Sequence, residues 1–215
     1  MDLASPISSV IPTAQGAVLE VLARTGQPLS GREVAELTRG RVGQWRVNQV
    51  LGELADAGIV LKESRPPANY YLLNHDHLAS DGIKALTGLR AALITRIAGK
   101  ISNEWSSQPS AVWLFGSAAR GDGGVDSDID LLVVGEEGRK RGGGSAHQAD
   151  VDELSSAIST WTGNDCQIVY LTRWDLDEMV KRGERLIDEI VSDAIVVSGK
   201  SPSELIRRPR TREAV

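Results

Sequence analysis

Cysteines and aromatic residues are scarce in this sequence, and their scarcity excludes whole classes of protein. Among 215 residues there is one cysteine, and Phe, Trp and Tyr together make up 4%. The single cysteine, Cys166, cannot close an internal disulfide, and no Cys/His spacing around it fits a zinc site. This excludes a disulfide-stapled secreted domain and favours a protein of the reducing cytoplasm.

Long apolar runs and an excess of basic residues are also lacking. No segment approaches the roughly 18 consecutive apolar residues that a membrane span requires, and no secretory signal is recognisable. Lys and Arg number 24 against 29 Asp and Glu, so the net charge is −5, and no third of the chain is basic. We therefore expect no membrane partner and no general electrostatic surface for nucleic acid, although a local basic cluster is still compatible with the sequence.

The first part of the chain contains a pattern of three helices followed by two strands. Helical spacing begins at Thr13, and a Ser-x-x-Glu capping box formed by Ser30 and Glu33 predicts the start of a second helix. A third helix follows, with apolar residues at i, i+3, i+4 and i+7. Short strands are predicted at 59–61 and 70–72, on either side of a polar turn.

Residues 13–76 resemble the winged helix-turn-helix domains of bacterial transcription regulators. The resemblance rests on the order of elements and on two stretches, 54–60 and 71–75. It implies that the third helix reads the DNA major groove, although Trp45 is equally well explained as a core or interdomain aromatic residue. The candidate DNA-binding residues are Gln44, Trp45, Arg46 and Asn48 on that helix and Lys62 and Arg65 near the hairpin turn.

The rest of the chain is predicted to form a second domain behind a linking helix. Periodic apolar residues indicate one long helix over 77–106, an α/β domain over 107–200 and a polar tail over 201–215. A stretch rich in glycine and charge at 135–145 is predicted to be a mobile loop. In the α/β domain we expect strands near 110–116, 128–134 and 164–171, and helices over 148–161 and 174–191.

The most informative stretch lies between two apolar runs of this second domain. The first run ends in Gly116-Ser117, and ten residues later the second opens with Asp128 and Asp130. Alternate residues of a strand point to the same side, so the two carboxylates share one face of the predicted strand. Paired carboxylates beside a small Gly-Ser turn suit a Mg²⁺ ion that carries a nucleoside triphosphate. Arg120 is either a charge partner for the phosphates or a surface partner of a nearby aspartate.

This stretch resembles the Gly-Ser-x10-Asp-x-Asp signature of minimal nucleotidyltransferases in the DNA polymerase beta superfamily. The resemblance covers about residues 80–200 and implies an α+β fold, with a mixed sheet flanked by helices. It also implies Mg²⁺ and an NTP, most often ATP, as cofactor and substrate. On this resemblance Asp128 and Asp130 bind metal and take part in catalysis, while Gly116, Ser117 and Arg120 bind the nucleotide.

A third carboxylate is the point at which the sequence departs from that family. The resemblance places it on the next core strand, where this chain has Asp165 and Gln167 on one face. A neutral amide can neither accept a proton from an attacking hydroxyl nor neutralise a cation. Either Asp165 is the third catalytic carboxylate, or transfer is slow, or the domain binds nucleotide without turnover.

Three functions are compatible with these patterns. The first is Mg²⁺-dependent transfer of AMP from ATP to a protein or tRNA acceptor, as the resemblance implies for toxin–antitoxin pairs. The second is a DNA-binding regulator, with operator DNA as partner, whose second domain only binds nucleotide or mediates assembly, for instance as a homodimer. The third is a partner that masks a toxin without chemistry.

Overall fold

The computed structural model describes residues 1–135 and 147–206. The chain divides into two compact units between Ala92 and Leu93, with Met1 grouped with the second unit. Each unit is described separately below. In the two described ranges there is no helix with the length and apolar character of a membrane span.

The first unit consists of helices packed on a small antiparallel sheet. Its elements are α1 (Pro6–Val10), α2 (Ala14–Arg24), β1 (Leu29–Ser30), α3 (Gly31–Leu37), α4 (Gln44–Asp56), β2 (Val60–Arg65), β3 (Ala68–Leu73) and α5 (Ser80–Thr87). The strand order is β1-β3-β2, and β3 pairs antiparallel with both neighbours. The hairpin predicted from the sequence is therefore present, and a two-residue strand just before α3 completes the sheet.

Local chemistry explains where α3 begins and which side of α4 is buried. Ser30 Oγ accepts a hydrogen bond from the Glu33 N–H, and the Glu33 carboxylate accepts one from the Ser30 N–H, so the predicted capping box is confirmed. The periodic apolar residues of α4 enter the core of the unit, where each buried aliphatic side chain contributes about 1.5–3 kcal/mol. They are Val47, Val50, Leu51 and Leu54.

The second unit is built around a four-stranded mixed sheet. After α6 (Leu89–Glu104), which crosses the boundary between the units, come β4 (Ala111–Phe115), α7 (Gly116–Arg120), β5 (Ile129–Gly135), α8 (Gln148–Thr162), β6 (Cys166–Thr172), α9 (Arg173–Arg182), α10 (Arg185–Asp193), β7 (Ile195–Gly199) and α11 (Pro202–Leu205). The strand order is β6-β5-β4-β7. The pair β5–β6 is parallel, whereas β4 pairs antiparallel with both β5 and β7. This mixed α/β architecture agrees with the expected fold class.

Strand β5 lies inside the sheet and is buried on both sides. Ile129, Leu131 and Val133 fill one face completely. Leu132 and Val134 fill the other, in a core cluster to which β4, α9, α10 and α11 also contribute. Both faces of the strand are thus apolar except at its beginning, where the two aspartates stand.

The structure differs from the sequence prediction at several boundaries. The single helix expected over 77–106 is two helices, α5 and α6, and the helix expected over 174–191 is interrupted at Gly183, whose φ of +63° is left-handed. The strand β7 and the helix α1 were not predicted. Residues 201–206 were expected to begin a polar tail. They contain α11 (Pro202–Leu205), and Leu205 and Ile206 are buried. Apart from Gly135, the predicted mobile loop lies outside the described residues, as does the tail from 207 onward.

Candidate functional site

The two aspartates of the motif stand at the start of β5. Asp128 immediately precedes the strand, and Asp130 is its second residue. Both side chains are half-buried, whereas Ile129 between them is fully buried on the opposite face. The two carboxylates are close enough for the charge of Asp128 to raise the pKa of Asp130. Strand alternation thus produces a pair of carboxylates on one side of the sheet.

Gly116 connects the neighbouring strand β4 to α7 directly beside this pair. Phe115, the residue before it, is the register partner of Asp130. The φ angle of Gly116 is +69°, and a Cβ placed on it would lie 2.5 Å from Asp130 Oδ2. Any side chain at this position would therefore be strained and would collide with the carboxylate. The glycine of the motif lets the backbone pass within contact distance of Asp130.

The loop that leads into Asp128 is held by a hydroxyl and a buried amide. Ser127 Oγ accepts a hydrogen bond from the Gly124 N–H at 2.8 Å. Asn164 is only 4% exposed, and its Nδ2 donates to the carbonyl oxygens of Val125 and Ser127, both at 2.9 Å. Sequence reasoning missed Asn164, and a polar residue after the Gly163 turn is the one signal that marks it. The two hydrogen bonds from Asn164 hold the backbone immediately before Asp128 in place.

Gln167 on β6 adjoins both aspartates. It is the register partner of Asp130 in the parallel pair β5–β6, and its Nε2 donates a hydrogen bond to Asp128 Oδ2 at 2.8 Å. A carboxylate only accepts hydrogen bonds, so the amide nitrogen must be the atom that faces it. The position beside the carboxylate pair on the next strand is thus occupied by a neutral amide.

Asp165 stands outside this group. It precedes β6, its side chain is exposed, and its backbone carbonyl accepts a hydrogen bond from the Ile129 N–H at 2.8 Å. Within residues 1–135 and 147–206, no three or more His, Cys, Asp or Glu side chains are grouped closely enough to hold a metal ion. The tertiary structure thus brings Gln167 rather than Asp165 to the carboxylate pair.

Arg120, at the end of α7, is exposed and engaged with acidic side chains. Its Nε donates to Asp122 Oδ2 at 3.0 Å, and a terminal nitrogen lies 4.0 Å from Asp193 Oδ2 on α10. The hydrogen bond to Asp122 is the main reason that the pKa of Arg120 is raised. The positive charge also acts on Asp130, where it partly offsets the rise in pKa that burial and Asp128 produce. Arg120 is therefore near the carboxylates but holds a local ion pair, as one of the two sequence-based explanations expected.

Burial and the neighbouring charge of Asp128 together raise the pKa of Asp130 above its ordinary value of 3.8. A carboxyl group with a raised pKa in the folded state destabilises the fold in its charged form. This penalty is absent well below pH 3.8, grows between pH 3.8 and the higher folded-state pKa, and is constant above that pKa. We expect Asp130→Asn to raise the Tm of the metal-free protein at pH 7 and to leave it nearly unchanged near pH 3, as measured by thermal unfolding in a chelator. An equal rise in Tm at pH 7 and near pH 3 would show that the raised pKa of Asp130 is not the cause of the stabilisation.

The six DNA-binding candidates lie on α4 and the β2–β3 hairpin of the first unit. Trp45 is 78% exposed, which excludes a place in the core of its own unit. Arg46 pairs with Gln49 and Glu53, and Arg65 pairs with Glu63. Gln44 and Asn48 line an open cleft of about 480 Å³ together with the start of α3 and part of β3. Lys62 is exposed on β2. These residues form a mostly polar face in which the two arginines already have internal acidic or amide partners.

Comparison with known proteins gives one family match. A family model described as a nucleotidyltransferase domain matches residues 94–209, which is more than half of the chain and contains every residue of the carboxylate site. The comparison with curated proteins gives no match.

The solved structures that match this chain include two distantly similar ones. One, described as a toxin–antitoxin crystal structure with AMP-PNP, is 16% identical and aligns over 53% of this chain and 80% of its own, with a TM-score of 0.37. The other, the archaeal chromatin protein TrmBL2, described as having a novel mode of DNA binding, is 13% identical and aligns over 86% of this chain and 76% of its own, with a TM-score of 0.31. At these TM-scores neither alignment supports a functional argument.

Proposed function

Because this chain belongs to the nucleotidyltransferase domain family, we propose that it transfers a nucleoside monophosphate, AMP, from ATP to a hydroxyl group of a protein or RNA acceptor. The observation that supports this most directly is the carboxylate pair at the start of β5, bordered by a glycine at which a Cβ would lie 2.5 Å from Asp130 Oδ2. The family match covers this site and not the first unit.

The donor set of the site fits a hydrated Mg²⁺ ion that arrives with a triphosphate. Mg²⁺ prefers carboxylate oxygens, keeps several waters and is commonly held by one or two carboxylates together with substrate phosphates. Asp128 and Asp130 supply such oxygens on one face of the sheet. When bound, the ion would neutralise phosphate charge that develops during transfer. We assign metal binding to these two residues; Asp165 is exposed and is not grouped with them as a metal ligand, so it is not part of this set.

The nucleotide would be held at the Gly116 turn, next to the carboxylate pair. Gly116 allows the phosphates a close approach to the backbone, and Ser117 offers a hydroxyl group. Arg120 would exchange its contact with Asp122 for the phosphates, which present a higher negative charge to the guanidinium. In the reaction, the acceptor oxygen forms a bond to the α-phosphorus while the bond between that phosphorus and the bridging oxygen breaks. The acceptor hydroxyl gives its proton to water, and pyrophosphate leaves.

The acceptor is the part of the proposal that the neighbouring gene would identify. We propose a toxin-like protein partner or a tRNA, in the context of a toxin–antitoxin pair. The test is incubation of the protein with [α-³²P]ATP and Mg²⁺, with the product of the adjacent gene or total RNA as acceptor. Label that is retained on a protein or RNA band after denaturing electrophoresis supports the proposal. If neither the product of the adjacent gene nor the RNA is labelled, the proposal is contradicted.

A second candidate function, DNA binding, is favoured by the first unit. Three helices, α2, α3 and α4, precede the β2–β3 hairpin, and Trp45 is exposed at the start of the third. We propose that this is a winged helix-turn-helix unit whose α4 enters the major groove. The unit contains no excess of basic residues, so a specific site rather than non-specific attraction would have to provide the affinity.

Arg46→Ala is expected to weaken binding to the upstream region of the gene by about 1–3 kcal/mol if Arg46 leaves Glu53 to contact a base edge. The measurement is an electrophoretic shift of a labelled upstream fragment at several salt concentrations. Lys84→Ala on α5 is the matched control, since it removes the same charge from a side chain outside the candidate DNA-binding set. Equal effects of the two substitutions, or the absence of any shift with the wild type, would contradict DNA binding through α4.

A further inference from the structure

The contact between Gln167 and Asp128 bears on how many cations the site can hold. Asp128 Oδ2 accepts the Gln167 N–H at 2.8 Å, and Gln167 is at the same time the register partner of Asp130. The amide of Gln167 therefore lies beside both carboxylates, on the same face of the sheet. No part of the proposed function requires a residue in this position.

The bond to Gln167 restricts what Asp128 can offer to metal ions. Two cations that act together in phosphoryl chemistry lie about 3.5–4 Å apart, and a carboxylate that bridges them must give one oxygen to each. In Asp128 one of the two oxygens is already bonded to an N–H group, whose hydrogen is the positive end of the amide dipole. A cation at that oxygen, on the side of Gln167, would face this positive end of the amide dipole. The contact with Gln167 therefore favours a cation at the other oxygen of Asp128 and disfavours one on the side of the amide.

The surrounding charge leads to the same conclusion. Gln167 adds no negative charge at the position next to Asp130, and the described residues contain no third acidic or histidine ligand grouped with the pair. Arg120 contributes positive charge nearby. The two carboxylates together balance the charge of one divalent cation, so a second cation about 4 Å from the first would depend on the phosphates alone for compensating negative charge.

We propose that Gln167 limits the site of Asp128 and Asp130 to one cation; this inference rests on the proposed function. The amide fixes Asp128 through Oδ2 and occupies the place of a ligand for a second ion. The single ion is the one that accompanies the triphosphate, held by Asp128 and Asp130. Gln167 is in this sense a positioning residue, since it acts through Asp128. Its replacement by glutamate would exchange an N–H donor for an anionic oxygen of the same reach and would create a second cation position.

The test counts Mn²⁺ ions bound to the intact chain. The protein is saturated with α,β-methylene-ATP, in which the bond that transfer would break is blocked, and bound Mn²⁺ is measured by electron paramagnetic resonance of the free ion. We expect one Mn²⁺ per chain for the wild type and two for Gln167→Glu. We also expect Mn²⁺ to raise the Tm of Gln167→Glu more than that of the wild type, because the introduced carboxylate and Asp128 repel each other until a cation separates them.

The matched control is Val169→Glu. Val169 lies two residues further along β6, on the same side of the strand, and is 37% exposed. The substitution adds the same charge to the same face but away from Asp128, so Val169→Glu should still bind one Mn²⁺ per chain. Two Mn²⁺ ions on the wild type, or one on Gln167→Glu, would overturn the inference while leaving the proposed function intact. If neither Mn²⁺ nor α,β-methylene-ATP binds to the wild type, the proposed function fails, and the inference fails with it.

Discussion

Replacing either Asp128 or Asp130 with asparagine is expected to lower the transfer of label from [α-³²P]ATP by on the order of a hundredfold or more. Asparagine has nearly the same shape as aspartate but no charge, so the change removes electrostatic stabilisation and leaves packing almost unchanged. The proposed site contains only these two carboxylates, and the residue on the next strand is the neutral Gln167. No neighbouring acid among the described residues of the site can therefore compensate for the loss of one.

The appropriate control for this experiment is Asp126→Asn. Asp126 is exposed in the same loop, two residues before Asp128, and is not one of the proposed ligands. It should transfer label at the wild-type rate. Thermal unfolding of all three variants would establish that they fold. If Asp128→Asn and Asp130→Asn together still label the acceptor as the wild type does, the enzymatic proposal is wrong, and a non-catalytic role in masking a partner becomes the better explanation.

Replacing Gly116 with alanine is expected to affect both stability and transfer. At a φ of +69° a non-glycine residue costs roughly 1–2 kcal/mol, and the added Cβ would lie 2.5 Å from Asp130 Oδ2, so the carboxylate must move. We expect a fall in Tm of about 4 °C or more and a loss of transfer close to that of Asp130→Asn. Circular dichroism and the labelling assay measure the two effects on the same preparation.

Gly124→Ala is the control for Gly116→Ala. It tests whether alanine is harmful anywhere in this loop or only where a Cβ would contact Asp130. No heavy atom lies within 4 Å of a Cβ at Gly124. This substitution should leave Tm and labelling nearly unchanged. A Gly116→Ala protein with wild-type Tm and activity would show that the turn can adopt another conformation and that its close approach to Asp130 is dispensable.

Much of the fold could be predicted because it depends on interactions between residues close in sequence. The capping box of α3 joins residues three apart, and the buried stripe of α4 repeats with the helical period. The common orientation of Asp128 and Asp130 likewise follows from alternation within one strand. The breaks at Gly88 and Gly183 were harder to predict, because apolar periodicity continues across them.

The sequence by itself determined that Asp128 and Asp130 share one face at the beginning of a buried strand, since alternation acts within a single segment. The approach of Gly116 to Asp130 depends in addition on the pairing of β4 with β5. The sequence could not decide which residue of the next strand joins the two aspartates. That choice depends on the register between β5 and β6, which pairs residues far apart in the chain, Asp130 with Gln167. Register in a buried parallel pair is set by the packing of both faces of the sheet. Only the tertiary structure therefore placed an amide, and not the carboxylate of Asp165, against Asp128.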